Sequence, residues 1–247
     1  MICLTHEGLK FGLQKMEIVI MKADWKNTAV VVPVYNSDKY LPKLFDGIMT
    51  YFPLENIFAV NDASEDDSKY ICEKLQVNLV DLQVNCGKGN ALQLGFKEAL
   101  KKGFKFAFTI DSDLQHKPED FPEFIKKQNE FDLELVIGKR DFSHKKMPFH
   151  RICSNTLTSW IVSRASKQKI IDSQCGYRLY NLEVLRDMEF QSKRYQFETE
   201  IILKIAKRNG KVGFTPIETI YNDQESYISG LRDIKNFVEI VLHEMRN

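Results

Sequence analysis

The chain has 247 residues, 43% of them hydrophobic, which is enough for one large α/β domain or two small ones with a sizeable core, and which excludes a disordered chain. Lys plus Arg number 35 and Asp plus Glu number 34, and this near balance argues against a general nucleic-acid binder. The five cysteines include no Cys-x-x-Cys pair, so neither a disulfide framework nor a zinc site is indicated, and a reducing cytoplasm is the expected compartment.

Residues 1–27 are interpreted as an N-terminal extension. They lack the long apolar block of a signal peptide, and no later run approaches the ~20 apolar residues of a membrane span. Met21 lies close to the first clear strand, so we expect the natural start there. Residues 28–247 are expected to form a single domain, because no repeat, low-complexity tract or linker interrupts them.

Strands and helices alternate along the first 140 residues. Strands are predicted at residues 28–34, 57–60, 77–84, 104–110 and 133–137, with helices up to about residue 51, at 69–75, at 91–102 and from residue 118. The first strand, TAVVVPV, is a β-branched run of the kind that is buried on both faces. About five alternations predict an α/β fold with a Rossmann-like, doubly wound and mostly parallel sheet.

Polar residues follow each of these strands at the point where it ends. Ligands bind at the carboxyl ends of the strands in such sheets, so we expect these residues to converge on one rim. They are Tyr35, Asn36, Asp62, Lys88, Asp111, Asp113 and Arg140.

The alternation stops after Asp141. A polar and basic loop is predicted there. Helices are expected at about 151–166, 197–208 and 231–245, and short strands near residue 180 and at 211–221.

The stretch FKFAFTIDSDLQHKPED, residues 104–120, is an apolar strand that ends in two acids. Pro118 is predicted to be the first helical residue, which puts the helix cap near Lys117. Asp111 and Asp113 are therefore not needed to start the helix.

The paired acids predict a metal site. Mg²⁺ takes one or two carboxylates plus substrate phosphates, so Asp111 and Asp113 could hold Mg²⁺ or Mn²⁺, and Gln115 could add a carbonyl oxygen. The metal would act as a Lewis acid on a departing diphosphate. His116 is another possible ligand, but we interpret it as a turn residue.

Two further groups could meet a nucleotide. Asn36 and Asp62 could bind a base or ribose, or could serve only as caps and turn residues. Gly87-Lys88-Gly89 superficially resembles a phosphate loop, but it lacks the Gly-x4-Gly-Lys-Ser/Thr spacing, so an ATPase is not indicated. Lys88 could instead lie over a nucleotide.

Several cations are expected to lie outside the sheet in the second half of the chain. The guanidinium fork matches phosphate oxygens, so the arginines are candidate anion ligands, whereas the lysines fit a solvated face. The cations are Arg140, Lys145, Lys146, Arg151 and Arg178.

Acids in the second half have several interpretations. Asp172 is a candidate general base or orienting group, and equally a cap or a partner for Arg178. Glu198 and Glu200 lie on a predicted amphipathic helix, where at least one is expected to face solvent. Cys175 is interpreted as a packing residue.

Six motifs together resemble the family 2 inverting glycosyltransferases with a GT-A fold. The motifs are VVVPVYN, VNDAS, NCGKGNAL, IDSDLQHKPED, IGKR and DSQCGYRLY. Their order and spacing are similar to the branch that includes dolichyl-phosphate mannose synthases and bacterial polyprenyl-phosphate glycosyltransferases. DSDLQHKPED resembles that branch's DADLQHPPE. The likeness covers about residues 28–246, and the ending looks like the short bacterial members without a transmembrane tail.

The resemblance implies a nucleotide-sugar-binding half, residues 28–140, and an acceptor half, residues 141–247. Mg²⁺ or Mn²⁺ would be the cofactor. The predicted nucleotide site comprises Pro33, Tyr35, Asn36, Asp62, Lys88, Asp111 and Ser112, and the metal ligands are Asp111, Asp113 and Gln115. The acceptor would meet Arg140, Arg151, Ser154 and Arg178, with Asp172 and Arg151 as the catalytic candidates.

The chain departs from the family pattern in three places. Asn61-Asp62-Ala63-Ser64 replaces Asp-Asp-Gly-Ser, so one acid is missing and Ala63 is not expected to adopt the left-handed turn of a glycine. The family's Gly-Ser-Arg reads Gly138-Lys139-Arg140. A late Arg of the mannose synthases is absent from NDQESYIS, which argues against GDP-mannose as donor.

We therefore expect a metal-dependent inverting glycosyltransferase that moves a hexose from a nucleotide-diphosphate sugar to a polyprenyl-phosphate or glycan acceptor, as in cell-envelope glycan biosynthesis. The alternatives are a sugar-1-phosphate nucleotidyltransferase and a non-catalytic nucleotide-sugar-binding protein. No nucleic-acid partner is expected. The expected location is cytoplasmic, with peripheral contact at the inner face of the membrane, and the apolar side of the last helix is expected to pack on its own domain.

Overall fold

The computed structural model describes residues 22–142, 149–220 and 230–246, in which helices pack on both faces of one seven-stranded sheet. The strands are β1 Thr28–Val34, β2 Ile57–Asp62, β3 Asn78–Leu82, β4 Phe106–Thr109, β5 Leu135–Lys139, β6 Arg178–Asn181 and β7 Val212–Pro216. The α-helices are α1 Leu41–Met49, α2 Ser68–Leu75, α3 Lys88–Lys101, α4 Phe121–Phe131, α5 Phe149–Ser166, α6 Leu182–Leu185, α7 Phe197–Lys207 and α8 Gly230–Arg246. Short 3₁₀ turns cover Leu54–Asn56 and Pro118–Asp120.

The strand order is β3-β2-β1-β4-β6-β5-β7. All pairs are parallel except those of β6, which runs antiparallel between β4 and β5. The prediction of a doubly wound, mostly parallel α/β sheet is therefore confirmed. Because β6 runs against its neighbours, it begins at the rim where they end, and this brings the segment that precedes it to the rim.

The two faces of the sheet are covered differently. On one face α3 approaches β1 closely, since a Cβ on Gly95 would lie 2.3 Å from Val31 Cγ1. On the other face Phe108 packs against Phe121 of α4, with ring centroids 4.4 Å apart. Tyr177, directly before β6, joins this cluster through Phe124, at 4.6 Å. The aromatic core thus holds the start of β6 beside the end of β4.

The first described residues pack on the domain. Ala23 is buried, and its backbone N–H donates to the side-chain oxygens of Gln128, at 3.0 Å, and Asn129, at 2.8 Å, both on α4. Of residues 22–27, which were assigned to the N-terminal extension, Ala23 is part of the hydrophobic core and Trp25 packs on the core residue Phe52. The proposed start at Met21 lies outside the described residues.

The last helix packs on the domain through part of its apolar side. Ile240 and Val241 are buried, and Phe237 packs against the core, whereas Val238 and Leu242 are exposed. The side chains of Leu231 and Ile234 lie outside the described part. Among the helices of the described ranges, none has the length and apolar character needed to span a bilayer.

Candidate active site

Several loops meet at the carboxyl ends of the strands. Ser37 Oγ lies 2.8 Å from Ser112 Oγ, which joins the loop after β1 to the loop after β4. Asn36 Oδ1 accepts the backbone N–H of Glu65 at 2.8 Å, which joins the first loop to the one after β2. The predicted convergence of these loops is confirmed. Tyr35 precedes Asn36 in the loop after β1, and its side chain is exposed.

Asp62 anchors the loop before α3. Its two carboxylate oxygens accept the backbone N–H groups of Cys86 and Gly87, each at 2.7 Å. These bonds fix the approach to Lys88, the first residue of α3. The structure shows Asp62 bonded to this loop, so its contact with a nucleotide stays a prediction. The same holds for the half-buried Pro33.

The two acids after β4 are held in different ways. Asp111 Oδ1 lies 2.7 Å from Lys88 Nζ. Burial would raise the pKa of Asp111, but attraction to Lys88 outweighs it and the net pKa is lowered. Asp113 Oδ1 accepts the backbone N–H of Gln115 at 3.0 Å. Burial and the neighbouring charge of Asp111 raise the pKa of Asp113 to about 6.

His116 is a packed residue beside the acids. Its ring stacks on Tyr177 at 5.5 Å, and its Nε2 lies 3.9 Å from the Cys175 sulfur. Burial lowers the pKa of His116 to about 4, so the imidazole is neutral at pH 7. Its buried Nδ1 makes no hydrogen bond with the described residues. The turn before Pro118 thus contributes to the core, and Lys117 precedes the 3₁₀ turn as predicted.

Lys88 lies in a narrow cradle. Its Nζ contacts Asp111 and also lies 3.4 Å from Glu198 Oε1 on α7. Gly176 closes the third side, because a Cβ there would lie 2.6 Å from Lys88 Nζ and 2.7 Å from Asp111 Oδ2. Burial lowers the pKa of Lys88, but the two carboxylates outweigh it and the net pKa is raised, so Lys88 stays charged.

Gly176→Ala is expected to lower kcat/KM for sugar transfer by about a hundredfold, because the added methyl group displaces Lys88 and Asp111 by about an ångström. Steady-state kinetics with a thermal unfolding curve measure this. Gly103→Ala is the matched control: Gly103 has φ +89° and no atom within 4 Å of the added Cβ, so it strains the backbone without touching the rim. Wild-type kinetics in Gly176→Ala would show that the cradle has no catalytic importance.

Arg140 and Asp172 form a partly buried ion pair at the edge of the rim. Arg140 Nε donates to Asp172 Oδ2 at 2.8 Å, and one terminal nitrogen donates to Oδ1 at 2.9 Å. Asp172 is fully buried, and Oδ1 also accepts the backbone N–H groups of Gln174 and Cys175, at 3.2 Å each. The carboxylate is thus surrounded by donors, an arrangement compatible with the orienting role that was predicted as one option. Its role as orienting group or base stays a prediction.

Arg178 is a correction to the sequence analysis, since it lies inside the sheet and is fully buried. Its guanidinium donates to the backbone carbonyls of Cys175 at 2.6 Å, Ser173 at 2.8 Å and Glu198 at 2.8 Å. It is therefore neither a cation outside the sheet nor a partner of Asp172. It instead ties the segment before β6 to the first turn of α7, and this geometry does not support direct contact with an acceptor.

The two remaining acceptor candidates lie on α5. Ser154 is exposed on this helix, and Arg151 lies on it with its side chain outside the described part. Contact of these two residues with an acceptor stays a prediction. Lys145 and Lys146, which were expected on a solvated face, lie outside the described residues altogether.

Glu198 and Glu200 were expected to place at least one carboxylate in solvent, and this was wrong because both are buried. Glu200 accepts the backbone N–H groups of Gln191 at 3.0 Å and Ser192 at 2.9 Å. Glu198 faces Lys88. Acids in the first turn of a helix are also favoured by the helix dipole. The sequence therefore did not distinguish an exposed acid that interacts with the dipole from a buried acid that binds a lysine or backbone N–H groups.

Comparison with known proteins identifies the family. The family model described as Glycosyl transferase family 2 matches residues 29–188, which is more than half of the chain. The chain belongs to glycosyl transferase family 2. This family match confirms the resemblance that the six motifs indicated. The alternatives of a sugar-1-phosphate nucleotidyltransferase and a non-catalytic binding protein are therefore set aside for this glycosyltransferase.

Relatives of this glycosyltransferase include proteins with named lipid-phosphate acceptors. An uncharacterized protein of Methanocaldococcus jannaschii is 32% identical over 213 residues, which is 81% of this chain and 91% of that protein. UDP-N-acetylglucosamine–dolichyl-phosphate N-acetylglucosaminyltransferase of Methanococcus voltae is 26% identical, over 78% of this chain and 86% of that one. Undecaprenyl-phosphate mannosyltransferase of Micrococcus luteus is also 26% identical, over 81% and 86%.

The fold of this glycosyltransferase matches solved GT-A structures. Glucosyl-3-phosphoglycerate synthase from Mycobacterium tuberculosis, in complex with Mn²⁺, uridine diphosphate and glucosyl-3-phosphoglycerate, superposes with a TM-score of 0.70. The identity is 15%, over 89% of this chain and 80% of that one. At this identity the match establishes the shared GT-A fold alone.

The substitution in the family's Asp-Asp-Gly-Ser motif is accommodated without the glycine. Ala63 has φ +59°, so the expectation that an alanine would not adopt the left-handed turn was wrong. Such a conformation costs a non-glycine residue about 1–2 kcal/mol. At the other changed position, Asn61 Nδ2 donates to Asp81 Oδ1 at 2.7 Å, and Asp81 also pairs with Lys69.

The acids after β4 have the chemistry of a divalent-metal site. No group of three or more His, Cys, Asp or Glu side chains forms a complete metal site within the described ranges. A magnesium site of this class needs only one or two carboxylates, since substrate phosphates complete it. Burial and the charge of Asp111 together raise the pKa of Asp113, and a bound cation would relieve the repulsion between the two carboxylates.

Proposed function

We propose that this glycosyltransferase moves a hexose from a nucleotide-diphosphate sugar to a polyprenyl phosphate, with Mg²⁺ or Mn²⁺ as cofactor and with inversion at the anomeric carbon. The observation that carries the proposal is the placement of two sets of charges on one rim: Asp111, Asp113 and Lys88 on one side, and the Arg140–Asp172 pair on the other. The names of the Methanococcus voltae and Micrococcus luteus relatives support the acceptor class.

On the donor side, Asp111, Asp113 and Gln115 would hold the metal, which when bound stabilises the negative charge of the departing diphosphate. Lys88 keeps a permanent positive charge beside Asp111. The loops that carry Tyr35, Asn36 and Ser112 are bonded to one another, so they offer the nucleotide a preorganised surface.

On the acceptor side, the Arg140 guanidinium would orient the phosphate. One phosphate oxygen attacks the anomeric carbon from the face opposite to the diphosphate, and the bond between that carbon and the diphosphate oxygen breaks. A phosphate is already a competent nucleophile, so no base is required. A hydroxyl acceptor on a glycan would need a base, and Asp172 is committed to Arg140 and to two backbone N–H groups.

The test is transfer of radiolabelled sugar from a panel of UDP- and GDP-sugars to polyprenyl phosphate. Labelled lipid is expected with Mn²⁺ or Mg²⁺ and is expected to disappear with EDTA, because the diphosphate then leaves without electrostatic stabilisation. The unphosphorylated polyprenol is the matched control acceptor. Equal transfer to polyprenol, or transfer that EDTA does not affect, would contradict the proposal.

Peripheral contact with the inner face of the membrane follows from a lipid acceptor. The exposed Val238 and Leu242 of α8 are compatible with such contact, and the cytoplasmic location stays part of this proposal.

A further inference from the structure

Glu198 is the one carboxylate of the Lys88 cradle that the proposed reaction does not use. It lies in the first turn of α7 and is 5% exposed. Its Oε1 is buried and makes no hydrogen bond among the described residues, and its ion-pair partner there is Lys88 Nζ at 3.4 Å. A buried carboxylate is retained at such a place only if a nearby positive charge compensates for its desolvation.

The position of Glu198 is tightly determined. Its backbone carbonyl accepts from the buried Arg178, which also holds the backbone of Cys175 directly before Gly176. Thr109, at the end of β4, donates to the carbonyl of Gly176 at 2.7 Å. The carboxylate is therefore fixed relative to the strand that leads to Asp111.

Two carboxylates face the Lys88 ammonium in the cradle, whereas the nearby Arg178 guanidinium donates its N–H groups to backbone carbonyls. Lys88 is one cation between Asp111 and Glu198, and it is closer to Asp111, at 2.7 Å against 3.4 Å. A divalent cation on Asp111 would compete with Lys88 for that carboxylate and would repel the ammonium. Lys88 then needs a second carboxylate within reach, and Glu198 provides it.

We propose that Glu198 is a positioning residue that receives the Lys88 ammonium when Asp111 turns to the metal. This inference rests on the proposed metal-dependent donor site. Glu198 does not touch the nucleotide or the metal, and it acts by lowering the free energy of the metal-bound arrangement of Lys88 and Asp111. Its loss therefore reduces the coupling between metal binding and nucleotide binding.

The experiment is calorimetric titration of Glu198→Gln with UDP and with GDP, each in Mn²⁺ and in EDTA. Nucleotide affinity is expected to fall about tenfold in Mn²⁺, within the usual range of coupling between two ligands. In EDTA it is expected to stay the same or to rise, since a negative charge near an anionic ligand has been removed. The matched control is Glu98→Gln: Glu98 is a partly exposed acid on α3 that pairs with Lys101, and this variant is expected to keep wild-type affinity in both conditions.

Damage to the fold and a simple charge effect would each give a different pattern. Damage to the fold weakens binding equally in Mn²⁺ and EDTA, and a simple charge effect strengthens binding in both, so either pattern overturns the inference. Wild-type behaviour of Glu198→Gln overturns it while leaving the proposed function intact. Failure of the wild-type chain to bind either nucleotide with Mn²⁺ overturns the proposed function and this inference together.

Two further variants keep the test informative if Glu198→Gln folds poorly. Glu198→Asp retains the charge and is expected to bind within a few-fold of the wild type in Mn²⁺. In a Lys88→Met background, Glu198→Gln is expected to cause no further loss of metal coupling, because the ammonium through which Glu198 acts is gone. An equal loss with and without Lys88 contradicts the inference.

Discussion

Asp113→Asn is expected to abolish metal-dependent donor binding and to lower turnover by about a thousandfold, because the metal contributes several kcal/mol to stabilising the departing diphosphate. The substitution keeps the shape of the side chain and removes only the charge. The amide oxygen of the new side chain can still accept the backbone N–H of Gln115, which Asp113 Oδ1 accepts at 3.0 Å, so the turn is preserved. Nucleotide titrations with and without Mn²⁺, followed by transfer kinetics, measure the effect.

The control for this variant is Asp132→Asn. Asp132 ends α4 with φ +52°, a conformation that asparagine adopts readily, and no metal role is assigned to it. Wild-type affinity is expected for Asp132→Asn. Unchanged donor affinity of Asp113→Asn in excess Mn²⁺ would falsify the assignment of the metal site to the acids after β4.

Asp172→Asn is expected to lower kcat/KM for the acceptor by about a hundredfold while leaving nucleotide binding unchanged. The physical reason is the loss of one carboxylate that holds Arg140 through two bonds, at 2.8 and 2.9 Å. Asp172 is fully buried, whereas the Arg140 side chain is 15% exposed, so the loss of the carboxylate is expected to cost less than the roughly 3–5 kcal/mol of a fully buried pair. Chemical denaturation should therefore show a measurable loss of stability, which separates Asp172 from a surface acid.

A double variant separates an orienting role from base catalysis. If Asp172 acts only through Arg140, then Arg140→Gln with Asp172→Asn is no slower than Arg140→Gln alone. A general base contributes about 10²–10⁴-fold of its own, so a base at this position would make the double variant slower by that factor. The second result would favour a hydroxyl acceptor over a phosphate.

The elements that the sequence predicted well share a local signal. The β-branched run of β1, the apolar run of β4 and the amphipathic α7 all lie within a few residues of their predicted bounds. The acids after β4 were found because Pro118 starts the next helix and leaves them without a capping role. These signals depend only on neighbours along the chain, and composition and periodicity report such neighbours directly.

The misassigned residues share a dependence on distant partners. Arg178 was placed outside the sheet, as a candidate acceptor ligand, because a guanidinium fork matches phosphate oxygens and because of the family resemblance. In the structure β6 inserts between β4 and β5 and buries this side chain. At least one of Glu198 and Glu200 was expected to face solvent, yet both are buried and α7 places Glu198 against Lys88. Ala63 was expected not to adopt a left-handed turn, because an alanine lacks the conformational freedom of a glycine. In the structure it adopts this turn, and the hydrogen-bonded loops around it hold it there.

The sequence alone determined three features of this protein, because each is a property of a short continuous segment. They are the acid pair at the end of β4, the alternation of strands and helices, and the polar residue after each strand. The tertiary structure decided what surrounds the acids. Only the antiparallel insertion of β6 brings Gly176 against Asp111, and only the packing of α7 brings Glu198 to Lys88. Contacts between segments so far apart in the chain are fixed by the closure of the whole sheet, and no local pattern encodes them.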